Sequence, residues 1–230
     1  MNLNLLLFLV FPYVSIVIFI TVTIYRSITQ PFSVSSLSSQ LLERRQLYWG
    51  SISFHWGVVI ILLGHLLALL LPKSLVLWNA VPLRLYALEL TALALGIWCL
   101  GGLLILLWRR MSSKRIQAVT TPMDLVVLVL LLVSVITGVI TASTYRFGSF
   151  WFTSVFTPYL ESILILQPQP DIVAPLPWVI QLHILNAFIL LAVIPFSRLI
   201  HILTYPLGYL FRPWQIVIWY RRTARQSPRP

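Results

Sequence analysis

The chain has 230 residues, 59% of them apolar and 9% charged, with a mean hydropathy of +0.93 and a formal net charge of +11. A water-soluble domain carries about a quarter charged residues, so these totals exclude a soluble globular enzyme and indicate a polytopic membrane protein. The single cysteine, Cys99, excludes an internal disulfide, a C-x-x-C-H haem attachment and a thiolate-held zinc or iron–sulfur centre. The basic residues gather at the ends of apolar segments, where membrane topology accounts for them better than nucleic-acid binding.

In chain order, residues 4–24 form a first apolar span, interrupted only by Pro12, which a membrane helix tolerates. Neither a basic n-region nor a small-residue cleavage site marks it as a signal peptide. Residues 25–48 are polar and lead to Arg44 and Arg45; residues 49–71 then run 23 positions without Asp, Glu, Lys or Arg, enough to cross a bilayer core. A short loop, 72–85, carries Lys73 and Arg84. The third span, 86–107, stops at RRMSSKR, and the fourth, 123–142, follows the breaker TTPMD. The loop 143–176 is rich in proline and aromatic residues, and its stretch FWFTSVFTPYLESILIL is expected to lie along the membrane interface. The fifth span is 177–203. A tail from Tyr205 ends in the basic run RRTARQSPRP, so the chain divides into a five-span domain, 1–204, and a tail, 205–230.

Five spans alternate sides. The side holding 25–48, 108–122 and the tail collects 13 of the 16 lysines and arginines, against Lys73, Arg84 and Arg146 on the other. The positive-inside rule then puts the amino terminus outside and the carboxyl terminus in the cytoplasm. Trp49, Trp78, Trp108, Trp151 and Trp178, near span ends, read as interfacial belt residues.

The four histidines are confined to two spans: His55 and His65 in the second, His183 and His201 in the fifth. His55 and His65 are separated by about 15 Å along a helix axis and by about 80° around it, whereas eighteen residues return His183 and His201 to about one face. Antiparallel packing pairs His55 with His201 towards the cytoplasm and His65 with His183 towards the outside. Imidazole at membrane depth asks for a partner. Two facing imidazoles are the axial ligand set of a low-spin haem iron, so the pattern implies two bis-histidine haems between helices 2 and 5 of an all-α five-helix bundle. Competing readings are separate interhelical hydrogen bonds, or a proton relay, for which Glu89 is the only intramembrane carboxylate candidate. Gly50, Gly57 and Gly64 recur every seven residues, giving either room for a porphyrin edge or close helix packing. Arg198, three residues before His201, is a candidate partner for a haem propionate or an interface anchor.

SSQLLERR (Ser38 to Arg45), FHWG and LGHLL around His55 and His65, and PFSRLIHI (Pro195 to Ile202) carry a resemblance to the gamma subunits of respiratory nitrate reductases, the dihaem cytochromes b that anchor a molybdenum enzyme to the membrane. The resemblance covers essentially the whole chain, including Pro12-Tyr13 and both histidine spacings. It implies haem b held by His55 and His201 on the cytoplasmic side, and a second held by His65 and His183. It further implies quinol oxidation near the distal haem with protons released outside, and partners on the cytoplasmic side: an iron–sulfur subunit and a molybdopterin catalytic subunit that reduces nitrate in anaerobic respiration. The protein would then sit in the inner membrane of a prokaryote. The family's quinol pocket implies Gly64 and His65 here; the family's lysine at the start of the third span is replaced by Tyr86, with Arg84 nearby. That departure leaves open a gamma-like subunit of another quinone-coupled or nitrite-oxidising complex, and a haem-free anchor or transporter is the reading from another class. FRPWQIVIWYRR in the tail suits either a dock for the iron–sulfur subunit or a helix on anionic lipid.

Overall fold

The computed structural model describes residues 3–30, 42, 44–145 and 147–203. The tail 205–230, Arg146 and most of the motif SSQLLERR lie outside the described residues. Among the described residues five helices are long and apolar enough to cross a membrane: α1 (Leu3–Thr29), α2 (Arg45–Leu70), α4 (Pro82–Ser112), α5 (Pro122–Thr144) and α7 (Trp178–Val193, extended by a 3₁₀ turn to Phe196). Between them lie α3 (Pro72–Asn79) and α6, residues 148–164, which runs from Gly148–Trp151 through a π turn at Phe152–Phe156 into Thr157–Leu164.

Proline sets many of these boundaries. Pro72, Pro82 and Pro122 occupy first helical positions, where a missing N–H is harmless. Thr121 adds a capping box: Asp124 N donates to its Oγ1 at 3.3 Å, and Thr121 N donates to Asp124 Oδ2 at 3.0 Å. Inside α1, Pro12 cannot donate to the carbonyl of Phe8, and the helix widens into a π turn at Leu6–Val10 just before it. The Phe8 carbonyl is satisfied from elsewhere: the Tyr159 hydroxyl donates to it at 2.8 Å.

Packing proceeds from neighbour to neighbour. α2 lies closest against α4, α4 against α5, α5 against α7, and α7 against α1. One core joins Phe54, Cys99 and Leu103 between α2 and α4. The larger one joins Phe8, Tyr159, Ile163, Val173, Ile180, Ile184 and Phe188, from α1, α6, the loop after it and α7. Among the described residues the two histidine-bearing helices therefore belong to different packing units.

The stretch 150–166 departs from the expected surface location. Tyr159 and Ile163 are fully buried in the larger core, and the Tyr13 hydroxyl donates to the Ile163 carbonyl at 3.1 Å. Glu89 anchors the start of α6 by accepting from Ser149 N at 2.8 Å, Ser149 Oγ at 2.6 Å and Gly148 N at 3.3 Å. These bonds account for an intramembrane carboxylate without a relay: a negative group at a helix amino terminus, facing its unpaired N–H groups. Only the tip, Leu164 to Leu166, is exposed and apolar.

The fifth span also departs from a continuous helix over 177–203. It ends at Val193, gives way to 3₁₀ turns at Ile194–Phe196 and Arg198–Ile200, and breaks between them at Ser197 (φ −115°, ψ 178°). Pro195 explains the break, because its ring displaces the carbonyl four residues back and it offers no N–H to it. The one-face relation expected of His183 and His201 on an unbroken helix therefore does not set their alignment.

Candidate functional site

α2 carries His55 and His65 on exposed positions, and α7 with its 3₁₀ extension carries His183 and His201, both half-buried. The rings of His55 and His201 face one another with centroids 6.4 Å apart and planes inclined by 52°. His65 and His183 lie within electrostatic range of each other. The edge of Phe152, from the π turn of α6, stands against His65 at 5.0 Å between centroids.

Each imidazole is held by its Nδ1. His55 Nδ1 donates to Ser51 O at 2.7 Å, with Ser51 Oγ also at 3.1 Å; His65 Nδ1 donates to Ile61 O at 2.8 Å; His201 Nδ1 donates to Arg198 O at 2.6 Å. A carbonyl can only accept, so each of these three rings carries a proton on Nδ1. His183 reaches the same tautomer through a hydroxyl. Thr137 Oγ1 donates to Val133 O at 2.7 Å and so accepts from His183 Nδ1 at 2.9 Å. Among the described residues no Nε2 has a protein hydrogen-bond partner.

Four imidazoles, each with Nδ1 hydrogen-bonded to the protein, leave Nε2 as the nitrogen a haem iron would take. Two imidazoles bound through Nε2 at about 2.0 Å to one metal, each ring centre lying roughly 1.2 Å behind its nitrogen, stand about 6.4 Å apart. The His55–His201 spacing fits that arrangement, and rotation about each metal–nitrogen bond permits any interplanar angle. Among the described residues no three His, Cys, Asp or Glu side chains converge as a cation site.

The three periodic glycines divide. A Cβ on Gly50 would come within 2.9 Å of Leu106 side-chain atoms, and one on Gly57 within 2.7 Å of Cys99 Cβ, so both serve the close approach of α2 and α4. Gly64, on nearly the same face, lies beyond that close approach: a Cβ there would meet nothing within 4 Å. The other quinol-site candidates have ring partners of their own. The Arg84 guanidinium lies over the Trp78 ring at 5.2 Å, and Tyr86 stands beside Phe147 at 6.4 Å. Among the described residues no hydrogen bond or ring contact ties either to His65.

Arg198 is engaged by protein: its Nε is 3.1 Å from Asp124 Oδ1, while Arg110 Nη1 is 3.3 Å from Oδ2 of the same buried carboxylate. Arg26 donates to the carbonyls of Pro195 at 2.6 Å and Ser197 at 3.2 Å. Ser51, Thr137, Asp124 and the local role of Arg26 escape a reading of spacing. TTPMD reads only as a breaker before the fourth span and assigns Asp124 no role.

Residues 4–220 match the family described as nitrate reductase gamma subunit. The nitrate reductase gamma chain of Bacillus subtilis is 31% identical over 212 residues, covering 90% of this chain and 94% of that one. The respiratory nitrate reductase 1 gamma chain of Escherichia coli is 31% identical over 225 residues, covering 94% and 97%. A Mycobacterium tuberculosis protein, nitrate reductase-like protein NarX, is 32% identical over 223 residues, which make up 90% of this chain but 32% of that protein.

Proposed function

This chain belongs to the nitrate reductase gamma subunit family, and from that premise we propose that it is the quinol-oxidising, electron-conducting membrane subunit of a nitrate reductase complex, binding two haems b. His55 and His201 would hold one haem and His65 and His183 the other. The single observation that carries this reading is the common state of the four imidazoles, with Nδ1–H bound and Nε2 presented, together with the 6.4 Å spacing of His55 and His201.

Bound haem iron supplies one-electron redox chemistry at two depths of a low-dielectric layer. The chain's own residues do the rest. Acceptors at Ser51, Ile61, Thr137 and Arg198 fix the tautomer and aim the rings. Gly64, His65 and Phe152 leave an apolar, aromatic approach suited to a quinol ring, with Tyr86 and Arg84 as further candidates for its oxygen atoms. The distribution of positive charge supports an outer amino terminus and a cytoplasmic carboxyl terminus. The quinol would then be oxidised towards the outside, and an iron–sulfur subunit with its molybdenum catalytic partner would dock inside. Arg198, already bound to Asp124, is proposed as the neighbour of a propionate at the inner haem.

The test is optical. Membranes holding the assembled complex should develop a reduced b-type α-band with quinol that collapses on adding nitrate. His65→Ala should remove one haem and quinol oxidation while the inner haem stays. A preparation without b-type absorption, or His65→Ala with full haem content, would refute the proposal.

A further inference from the structure

The ring of His201 is not placed by the helix that carries it. α7 stops at Val193, eight residues before His201, and the intervening chain is two 3₁₀ turns broken at Ser197. Two other spans hold that segment. From α1, the Arg26 guanidinium donates to the carbonyls of Pro195 and Ser197 at 2.6 and 3.2 Å. From α5, the buried Asp124 carboxylate binds Arg198 at 3.1 Å. Arg198 then supplies the carbonyl, 2.6 Å from His201 Nδ1, that fixes the imidazole.

We propose that Arg26 and Asp124 are positioning residues for His201, a charged clamp that keeps the unwound end of the fifth span where its imidazole faces His55. The inference rests on the haem reading above. A charge kept only for topology needs to be on the right side of the membrane, not 2.6 Å from a carbonyl. Breaking the helix at Pro195 leaves backbone acceptors that the bilayer cannot satisfy. A guanidinium carries several donors in one plane and can serve two of these acceptors together, where an ammonium is a compact point charge. Asp124 is held in turn by the Thr121 N–H and by Arg110, so its carboxylate is a fixed post rather than a flexible partner. Neither residue touches the His55 and His201 rings; both act through the backbone between them.

The experiment uses the assembled complex with Arg26→Gln, Arg26→Lys and Asp124→Asn, and His201→Ala as reference. Protohaem is counted per chain, and the low-field electron paramagnetic resonance features of the ferric haems are recorded together with their midpoint potentials. His201→Ala identifies the inner haem by loss of its feature. Arg26→Gln and Asp124→Asn should shift that feature and its potential and deplete that haem, up to loss of half the protohaem. The other haem should keep its feature and so certify the fold. Arg26→Lys, with its charge intact, should retain the inner haem with a smaller shift. Wild-type features and potentials in both Arg26→Gln and Asp124→Asn would overturn the clamp, as would equal shifts of both haems. Wild-type complex devoid of haem would overturn the underlying reading and the clamp with it.

Discussion

Thr137 Oγ1 lies 2.9 Å from Nδ1 of His183 and donates its own hydrogen bond to Val133 O at 2.7 Å. The fourth span, which bears no histidine, therefore sets the tautomer of a histidine on the fifth. Thr137→Val keeps the shape and deletes the hydroxyl acceptor at His183 Nδ1, a hydrogen bond of the kind that contributes about 0.5–1.5 kcal/mol. An imidazole without that acceptor donates less electron density to a bound metal. The ferric form of the outer haem should lose stability relative to the ferrous, and its midpoint potential should rise in a redox titration, while the inner haem keeps its value. Thr137→Ser should restore the wild-type potential. An unchanged outer potential in Thr137→Val would deny the hydrogen bond this role.

Gly138, the next residue, tests the same ring by volume. A Cβ there would stand 3.2 Å from His183 Cε1, so the imidazole must yield by a few tenths of an ångström. Gly138→Ala is expected to retain both haems but shift the resonance features of the outer one, and Gly138→Leu to lose that haem.

These two residues also mark where the sequence stops being readable. Span number and position follow from apolar runs ended by arginine or proline, and the described helices match them to within a few residues at most ends. The four histidines attract notice because they are so few and lie in only two spans. Thr137 does not, since a threonine bonded to the carbonyl four residues back is ordinary in a membrane helix, and its second partner lies 46 positions away. The expected alignment of His183 and His201 assumed an intact helix through Pro195. The contact of His201 with His55 is instead built by Arg26, which in sequence is only a topology charge. Residues 150–166 read as an interfacial strip because Glu89 and Phe8, which tie them to the bundle, are 60 and 151 positions away from their hydrogen-bond partners.

Glu89→Gln separates anchoring from proton transfer. The amide retains one oxygen but forfeits the negative charge facing the start of α6, and its NH₂ cannot accept from Ser149 or Gly148. A loss of about 1–3 kcal/mol is expected for charge-assisted hydrogen bonds of this kind, visible as a lower melting temperature of the detergent-solubilised complex. Haem content and the pH profile of quinol oxidation should remain as in wild type; a profile displaced by the substitution would restore Glu89 as a relay.

Adjacent glycines on α4 give opposite expectations. A Cβ on Gly102 would come 2.6 Å from Phe54 N and 2.8 Å from Gly50 O, backbone atoms that cannot turn aside, whereas one on Gly101 would meet nothing within 4 Å. Gly101→Ala should be neutral or stabilising by up to about 1 kcal/mol through helix propensity. Gly102→Ala gains the same propensity but forces α2 and α4 apart, and overpacking of this kind costs about 1–3 kcal/mol or more. Parallel thermal melts decide the matter: equal melting temperatures would mean that α2 and α4 are not in the close contact described.

Tyr159 supplies a pH-dependent test outside the five spans. Its hydroxyl donates to Phe8 O at 2.8 Å, the carbonyl that Pro12 leaves without a helical donor, and burial, with a smaller contribution from Tyr13, pushes its ionisation well above that of an exposed tyrosine. Above about pH 10, where an unfolded tyrosine releases its proton, the folded chain still holds this one. The unfolded state then binds fewer protons, so the contribution of this residue is complete below pH 10 and declines as pH rises towards the folded value. Tyr159→Phe removes both effects. At neutral pH it leaves the Phe8 carbonyl unpaired in the larger core, with an expected loss of about 1–3 kcal/mol. Between pH 9 and pH 11 its melting temperature should fall less steeply than that of the wild type. Superimposable slopes would show that the phenol exchanges its proton as readily in the fold as out of it, and that its bond to Phe8 does not secure α6 to α1.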